Sequence, residues 1–402
     1  MLQPIFGQLT PSSFTRPANA VQRLLFSGTS LIQRPTTISD SFERESSVFL
    51  EGGSAYGFQL LNSLIARMDE AMTVTGEKYS GNEAFTTQFH VKMTPEGQAA
   101  LKQGNSLPAR VDRRMEWTKG VFMAMSGSVT DALTDSRLAD VRSMFCSIDP
   151  ASVPSGKNKP KALTTELQVS EGNADDVAIN TAAAEWNKSY QAALRPVEQR
   201  LVGYKDREKN VFVPGEEVID VKDLPISDLR ATDANFYVPT EMVNKKQTGH
   251  GGVSVAKAVQ GMMVLAARNF GGKKLGSVKL EEFTASYKLP FVMDHGLQAD
   301  TTVDHVDKDG NVYLSTRLYK CDTKGWREQD RAALSEAERE QDGFILTGPV
   351  TIIHAKIKAP KTISCKPNVD RFNAMLGELE GKARTDAETR QKEAIGWSKI
   401  KF

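Results

Sequence analysis

Residues 244–272 read NKKQTGHGGVSVAKAVQGMMVLAARNFGG, and this stretch decides the fold. Three glycines, Gly249, Gly251 and Gly252, lie in a polar loop that leads into a run of apolar residues at helical spacing. Directly afterwards, residues 283–289 alternate between apolar and polar side chains, which is the period of a strand with one buried face. The sequence therefore predicts a long, largely apolar helix that packs on a sheet.

The same order of features occurs earlier in the chain. Residues 52–72 combine glycines with a helical apolar run, and residues 85–93 then alternate as a strand does. Each copy continues into a hairpin, with its turn near Gly120 in the first and at Gly310 in the second. We interpret this repeat as an internal duplication of one α+β unit.

The composition is that of a globular protein and argues against several other classes. The chain has 402 residues, of which 40 % are hydrophobic and 25 % charged, as in ordinary globular proteins, and no apolar run predicts a membrane span. A formal net charge of +1 argues against a nucleic-acid partner held by bulk electrostatics. The three cysteines are an odd number without metal-ligand spacing, so we expect a reducing compartment and no disulfide framework.

We divide the chain into five parts. Residues 1–39 contain arginine but neither Asp nor Glu, which is typical of a mitochondrial transit peptide and predicts the mitochondrial matrix; the alternative is a disordered tail on a cytoplasmic protein. The other parts are a first unit at 40–149, a spacer with a helix at 150–228, a second unit at 229–358 with a charged insertion at 323–342, and a charged helical tail at 359–402. The spacer is too long for a simple connection, so it should pack across both units, whereas we expect the tail to face solvent rather than a partner.

The order of residues in the second unit resembles a known family. A proline-containing segment precedes an asparagine, a glycine, a glycine pair, the helix and an Ala-Arg pair, which here are 238–240, Asn244, Gly249, Gly251-Gly252 and Ala267-Arg268. This order resembles the acyl-CoA thioesterases of the double hotdog fold, and the long spacer is similar to that of their mitochondrial two-hotdog subgroup. The resemblance implies two tandem hotdog domains, each an antiparallel sheet wrapped around a long central helix.

The resemblance also implies a function. Such a protein would hydrolyse or bind fatty acyl-CoA thioesters, or acyl-carrier thioesters, at the interface between the two hotdog domains. Coenzyme A would enter as part of the substrate, and no metal or further cofactor is implied. Hotdog proteins pair their sheets, so self-association is expected as well.

Thioester hydrolysis needs a polarised carbonyl group and an apolar slot for the acyl chain. Free N–H groups and the positive end of the helix dipole could face the thioester oxygen as it gains negative charge. The acyl chain would then lie along the helix, with Leu60 and Leu64 as the counterparts of its methionines in the first unit. The predicted substrate-binding residues are Gly249, Gly251, Gly252, Val253, Met262 and Met263.

Four residues are candidates for the chemistry: Asn244, His250, Gln260 and Asn62. His250 could polarise the carbonyl or bind the phosphopantetheine arm, or it could hydrogen-bond its own loop. Asn244 could position the substrate or be an ordinary turn residue. Asn62 and Gln260 could orient a water molecule, but an amide cannot deprotonate it.

One expected group is missing from the second helix. The resemblance implies a carboxylate about two and a half turns after the glycine loop, where this chain has Val259 or Gln260. Acids do occur in and before the first helix, at Glu51, Asp69 and Glu70, but at positions that favour a helix cap or a solvated face.

The missing acid leaves two alternatives to a thioesterase. The chain could be a catalytically inactive hotdog scaffold subunit of a larger, possibly mitochondrial assembly. A hotdog hydratase or dehydratase is the lesser alternative, because it needs an acid facing a histidine such as His250. A carboxylate within reach of the glycine loop, residues 249–252, would favour an enzyme.

Overall fold

The protein is described here by a computed structural model. It describes residues 36–53, 57–153, 158–164, 166–170, 172–202, 230–237, 251–271, 275–289, 296–321, 345–360 and 365–400. Residues 1–35 of the predicted leader and the charged insertion at 323–342 lie outside the described residues.

The described chain contains strands and helices in the alternating order that the sequence predicts. The strands are β1 (Glu43–Leu50), β2 (Glu83–Met93), β3 (Leu107–Lys119), β4 (Phe122–Asp131), β5 (Arg137–Ile148), β6 (Arg230–Tyr237), β7 (Lys279–Tyr287), β8 (Gly296–Val306), β9 (Asn311–Cys321) and β10 (Ile345–Lys358). The α-helices are α1 (Phe58–Ser80), α2 (Pro95–Gln103), α3 (Ala174–Val202), α4 (Gly251–Phe270), α5 (Cys365–Gly377) and α6 (Gly381–Trp397).

These strands form one antiparallel sheet in the order β1-β3-β4-β5-β2-β7-β10-β9-β8-β6. The two halves have the same strand order when each is followed from its outer edge to the centre of the sheet. This order is β1-β3-β4-β5-β2 in the first half and β6-β8-β9-β10-β7 in the second. The halves join where β2 pairs with β7, from Gln88 opposite Ser286 to Lys92 opposite Glu282. Each half contributes one long helix to the core, so the prediction of two tandem hotdog domains is confirmed. Internal duplication as the origin of the shared strand order stays a prediction.

Both predicted hairpin turns are present. Gly120 lies between β3 and β4 with a φ of 62°, and Gly310 lies between β8 and β9 with a φ of 79°. These positive φ values favour glycine, because other residues have a Cβ atom that clashes with the backbone there. The turns therefore explain why the hairpins could be recognised from sequence.

The two central helices, α1 and α4, pack against each other and against the inner face of the sheet. Apolar residues at helical spacing put most of their side chains into one continuous core; among them are Leu61, Leu64, Ile65, Met68, Val255, Val259, Met262 and Ala266. Burying one large apolar side chain completely stabilises the fold by roughly 1.5–3 kcal/mol. The contact between the helices therefore helps to hold the two halves together.

The spacer helix α3 crosses the outer face of the sheet. In the first half, Asn180 Nδ2 donates a hydrogen bond of 2.8 Å to the carbonyl oxygen of Glu116. In the second half, the hydroxyl groups of Tyr190 and Ser286 lie 2.6 Å apart. Helix α3 thus contacts both halves, which is the position that its length predicts.

The tail packs on the outer face of the sheet, and the expectation that it faces solvent was wrong. Helix α6 buries Ala387, Ala394 and Trp397, whose spacing puts them on one side of the helix. The Trp397 ring lies 5.5 Å from the ring of Tyr313 and 5.7 Å from that of His354. The many charged residues between these apolar positions concealed the apolar side of the helix.

An ion pair also connects the tail to the sheet. Arg390 on α6 lies 3.4 Å from the carboxylate of Asp304 on β8, and Thr302 donates a hydrogen bond of 2.9 Å to the same carboxylate. Burial raises the pKa of Asp304 to about 6, although the charge of Arg390 opposes this shift.

None of the helices in the described part of the chain combines the length and the apolar character that crossing a membrane requires.

We expect Trp397→Ala to lower the free energy of unfolding by about 3–5 kcal/mol, because it leaves a large cavity between α6 and the sheet. Urea denaturation measures this change. Ile395→Ala on the exposed side of the same helix is the control and should cost less than about 1 kcal/mol. Equal losses would mean that the tail does not pack on the sheet in solution.

A second prediction concerns pH. Because the folded-state pKa of Asp304 is about 6 and the usual value is 3.8, the folded protein binds the proton more tightly than the unfolded chain does. The contribution of Asp304 to stability is therefore largest below pH 4 and decreases as the pH rises to about 6. Between pH 4 and pH 7 the wild type should lose about 2–3 kcal/mol more than Asp304→Asn, measured by urea denaturation. Parallel pH profiles would contradict this expectation.

Candidate functional site between the central helices

The amino end of α4 is formed by Gly251, Gly252 and Val253. The first four N–H groups of an α-helix have no partner within the helix, and the helix dipole makes this end positive. A Cβ atom at position 251 would lie 2.8 Å from Cε1 of Tyr287 and 3.2 Å from its hydroxyl oxygen. Glycine is therefore needed at position 251, because the Tyr287 ring lies directly against the backbone.

Tyr287 is the last residue of β7, and its side chain points to the inner face of the sheet. Its hydroxyl oxygen is buried and has no hydrogen-bond partner among the described residues. Burial, and then the negative charge of Asp69, raise the pKa of Tyr287 well above its usual value. The phenol consequently keeps its proton at neutral pH, and the carboxylate of Asp69 lies in its neighbourhood.

Asp69 is buried within α1, with 7 % of its surface exposed. Thr86 on β2 donates a hydrogen bond of 2.8 Å to its Oδ1 atom. From sequence, Asp69 was expected at a helix cap or on a solvated face, but α1 continues to Ser80 and Asp69 is buried. The acid is therefore an interior residue of a long helix rather than a cap.

A hydrogen bond between the two central helices shows which part of α4 lies opposite Asp69. Gln260 on α4 donates a hydrogen bond of 2.7 Å from Nε2 to Oδ1 of Asn62 on α1. Asp69 also lies near Tyr287, and the Tyr287 ring lies against Gly251. These contacts and the bond between Gln260 and Asn62 together mean that the two helices run antiparallel. Seven residues make about two helical turns and return to the same face. Seven residues beyond Asn62 is Asp69, and seven before Gln260 is Val253, so Asp69 faces the first turn of α4.

The structure thus brings together an acid from the first half and a helix amino end from the second. A carboxylate can accept a proton from water, and free N–H groups can stabilise an oxygen that gains negative charge. The buried phenol of Tyr287 adds a neutral hydrogen-bond donor at the same place.

The predicted site residues have different outcomes. Asn244, Gly249 and His250 lie outside the described residues, so their roles stay predictions. Gly251, Gly252 and Val253 form the first turn of α4, where they were expected. Asn62 and Gln260 bond to each other across the helix interface, about two turns from Asp69. The predicted acyl-chain residues are all in the core: Met262, Met263, Leu60 and Leu64.

The corresponding end of α1 differs from that of α4. Gly57 precedes α1 with a φ of 68°, and a Cβ atom there would overlap the carbonyl oxygen of Leu101 on α2. Asp69 is the twelfth residue of α1, whereas the twelfth residue of α4 is Met262. Of the two central helices, α4 therefore has the amino end that faces an acid, whereas Leu101 covers that of α1.

Sequence reasoning missed Asp69, Tyr287 and Thr86 as site residues. One signal was available for Asp69, because it lies seven residues after Asn62 and so on the same helical face. No local signal identified Tyr287, which reads as an ordinary residue of an alternating strand. Among the described residues there is no group of three His, Cys, Asp or Glu side chains placed to hold a metal ion.

Comparison with protein-family profiles and with curated proteins gives no match. Several solved structures are similar. The 12:0-ACP thioesterase from Umbellularia californica has a TM-score of 0.41 at 11 % identity, covering 79 % of this chain and 94 % of that one. An acyl-ACP thioesterase from Bacteroides thetaiotaomicron has a TM-score of 0.40 at 9 % identity, covering 80 % and 99 %.

A shorter similar structure is an acyl-CoA hydrolase from Staphylococcus aureus in complex with butyryl coenzyme A, coenzyme A and coenzyme A disulfide. Its TM-score is 0.30 at 13 % identity, and the match covers 42 % of this chain and 93 % of that one. At such identities and TM-scores, these likenesses do not establish an activity for this chain.

The hydrogen bond between Asn62 and Gln260 can be tested by a double-mutant cycle. We expect Asn62→Ala and Gln260→Ala to be coupled by about 1 kcal/mol, because either substitution alone removes the same bond. Chemical denaturation of both single variants and the double variant gives this coupling. Strictly additive losses would mean that the two amides do not bond to each other in solution.

Proposed function

We propose that this protein hydrolyses acyl thioesters, as acyl-CoA or acyl-carrier conjugates, at the amino end of α4. The helix register carries the proposal: the bond between Asn62 and Gln260 puts the buried Asp69, from the first half, opposite the first turn of α4, from the second half. Asp69 would thus act as the general base, a role for which the second helix has no carboxylate of its own at the expected position.

The proposed reaction is addition of water to the thioester carbonyl. Asp69 accepts a proton from the water molecule while the water oxygen forms a bond with the carbonyl carbon. Negative charge moves to the carbonyl oxygen, which the N–H groups of Gly251, Gly252 and Val253 stabilise. The carbon–sulfur bond then breaks, the thiolate takes up the proton that Asp69 accepted, and a carboxylic acid and a thiol leave.

The surroundings of Asp69 suit this role. Thr86 holds one carboxylate oxygen by a hydrogen bond and so fixes the side chain within the interface. Apolar residues of both central helices, including Met262 and Met263, continue from the site into the core. An acyl chain is apolar, so it would extend in this direction, and its length is part of the proposal to be measured.

The roles of the preceding loop, the localisation and the self-association of the protein stay predictions. His250 and Asn244 would complete the site from the loop that precedes α4. The mitochondrial localisation is predicted from residues 1–39 alone. Self-association and kinship with the mitochondrial two-hotdog subgroup are likewise predictions.

The decisive test is hydrolysis of short, medium and long acyl-CoA thioesters by the purified full chain. Asp69→Asn should lower kcat by about 10²–10⁴-fold with little change in KM, because the amide cannot accept the proton. Glu70→Gln is the matched control: it changes a neighbouring acid that pairs with Arg67 at 3.1 Å, and it should leave the rate unchanged.

Two other outcomes are informative. Turnover that persists in Asp69→Asn but is lost in His250→Ala would move the base to the loop and contradict the role of Asp69. No turnover on any substrate by well-folded wild-type protein would reject hydrolysis and favour the inactive scaffold.

A further inference from the structure

Two neighbouring residues of β7 and β10 carry buried hydroxyl groups that have no hydrogen-bond partner in the described part of the chain. The hydroxyl oxygens of Tyr287 and Thr351 are inaccessible to solvent and have no partner among the described residues. Thr351 is completely buried as a residue. Buried hydroxyl groups are nearly always hydrogen-bonded, because leaving one unpaired destabilises the protein. Two such groups in one place therefore indicate a missing acceptor.

The sheet places these two residues side by side. Thr351 on β10 is directly opposite Tyr287 on β7. Residues that are opposite each other in an antiparallel pair project from the same face of the sheet, with Cβ atoms about 4.5–5.5 Å apart. The Tyr287 ring lies against Gly251, so it reaches the amino end of α4, and Thr351 projects from the same face of the sheet next to it.

The charges around the pair decide what it can bind. The phenol keeps its proton, because burial and the carboxylate of Asp69 raise the pKa of Tyr287 well above its usual value. A protonated phenol and a threonine hydroxyl group can both donate a hydrogen bond. The adjacent N–H groups of α4 are donors as well, so the place suits an oxygen acceptor that is neutral or gains negative charge.

We propose that Tyr287 and Thr351 donate hydrogen bonds to the carbonyl oxygen of the bound acyl thioester, alongside the first N–H groups of α4. This inference rests on the proposed function and adds two residues that contact the reacting carbonyl group. The carbonyl oxygen then has donors on the sheet side and on the helix side, and Asp69 is left for the attacking water.

Two coenzyme A ligands that cannot be hydrolysed test the assignment. In the first, a CH₂ group replaces the thioester sulfur, so that the ligand is a ketone and keeps the carbonyl group. The second is an S-alkyl thioether of the same chain length, which lacks the carbonyl group. We expect wild-type protein to bind the ketone about tenfold more tightly, measured by calorimetry. Tyr287→Phe and Thr351→Val should each reduce this preference severalfold without weakening the binding of the thioether.

Thermal stability gives a readout that does not depend on the ligand. Removing a hydroxyl group that has no partner should leave Tm unchanged or raise it. The matched controls carry hydroxyl groups that are bonded: Tyr79→Phe loses a bond to Thr118, and Thr301→Val loses a contact of 2.8 Å with Thr316. Both controls should lower Tm and keep the preference for the ketone.

Each result decides between the two proposals. Equal binding of ketone and thioether by the wild type would overturn the assignment of Tyr287 and Thr351 and leave the hydrolysis proposal in place. A fall in Tm for Tyr287→Phe as large as for Tyr79→Phe would also overturn it, because the phenol would then be bonded within the chain. If wild-type protein binds neither ligand, the proposed function itself fails, and the assignment fails with it.

Discussion

The antiparallel contact between the two central helices is the constraint on which the rest of the structure depends. Apolar side chains from both helices fill one core, and the bond between Asn62 and Gln260 fixes the position of one helix along the other. Because seven residues return a helix to the same face, this register sets Asp69 opposite the first turn of α4. The candidate site therefore belongs to the pair of helices and to neither half alone.

The two halves share a strand order but differ in the segment that follows their second strand. In the first half this segment contains α2, whose Leu101 covers the amino end of α1 at Gly57. In the second half β7 ends at Tyr287 and β8 begins at Gly296, so this connection is shorter than the one that contains α2. The amino end of α1 is therefore covered, whereas the amino end of α4 faces an acid. A symmetric arrangement of strands has produced a single candidate site.

The outer face of the sheet carries polar residues that a solvated sheet would expose to water. His90, Thr284 and His354 lie in one row across β2, β7 and β10, and all three are buried. Helices α3 and α6 cover this face through Trp186, Tyr190 and Trp397, which form a second apolar cluster. The spacer helix and the tail are thus parts of the folded protein. The charged residues of α6, which made this helix look solvent-exposed in sequence, include Arg390, the ion-pair partner of Asp304.

The sequence by itself determined the fold class. Helical and strand periods are local properties, and the glycine turns require positive φ values that few other residues adopt, so helices, strands and both hairpins could be predicted. The amino end of α4 could be recognised in the same way, from Gly251 and Gly252. Asn62 and Gln260 could be named as polar residues of the central helices, but not as each other's partners.

Only the tertiary structure decided where the acid lies. Sequence patterns show which face of a helix is apolar, but they do not show which residues of a second helix will cover a polar position on that face. Asp69 on α1 is buried, with Thr86 of β2 bonded to its carboxylate and Tyr287 of β7 nearby, and the Tyr287 hydroxyl group lies in turn against Gly251 of α4. A site built from two distant segments has no local signature, because its geometry arises only when the helices pack.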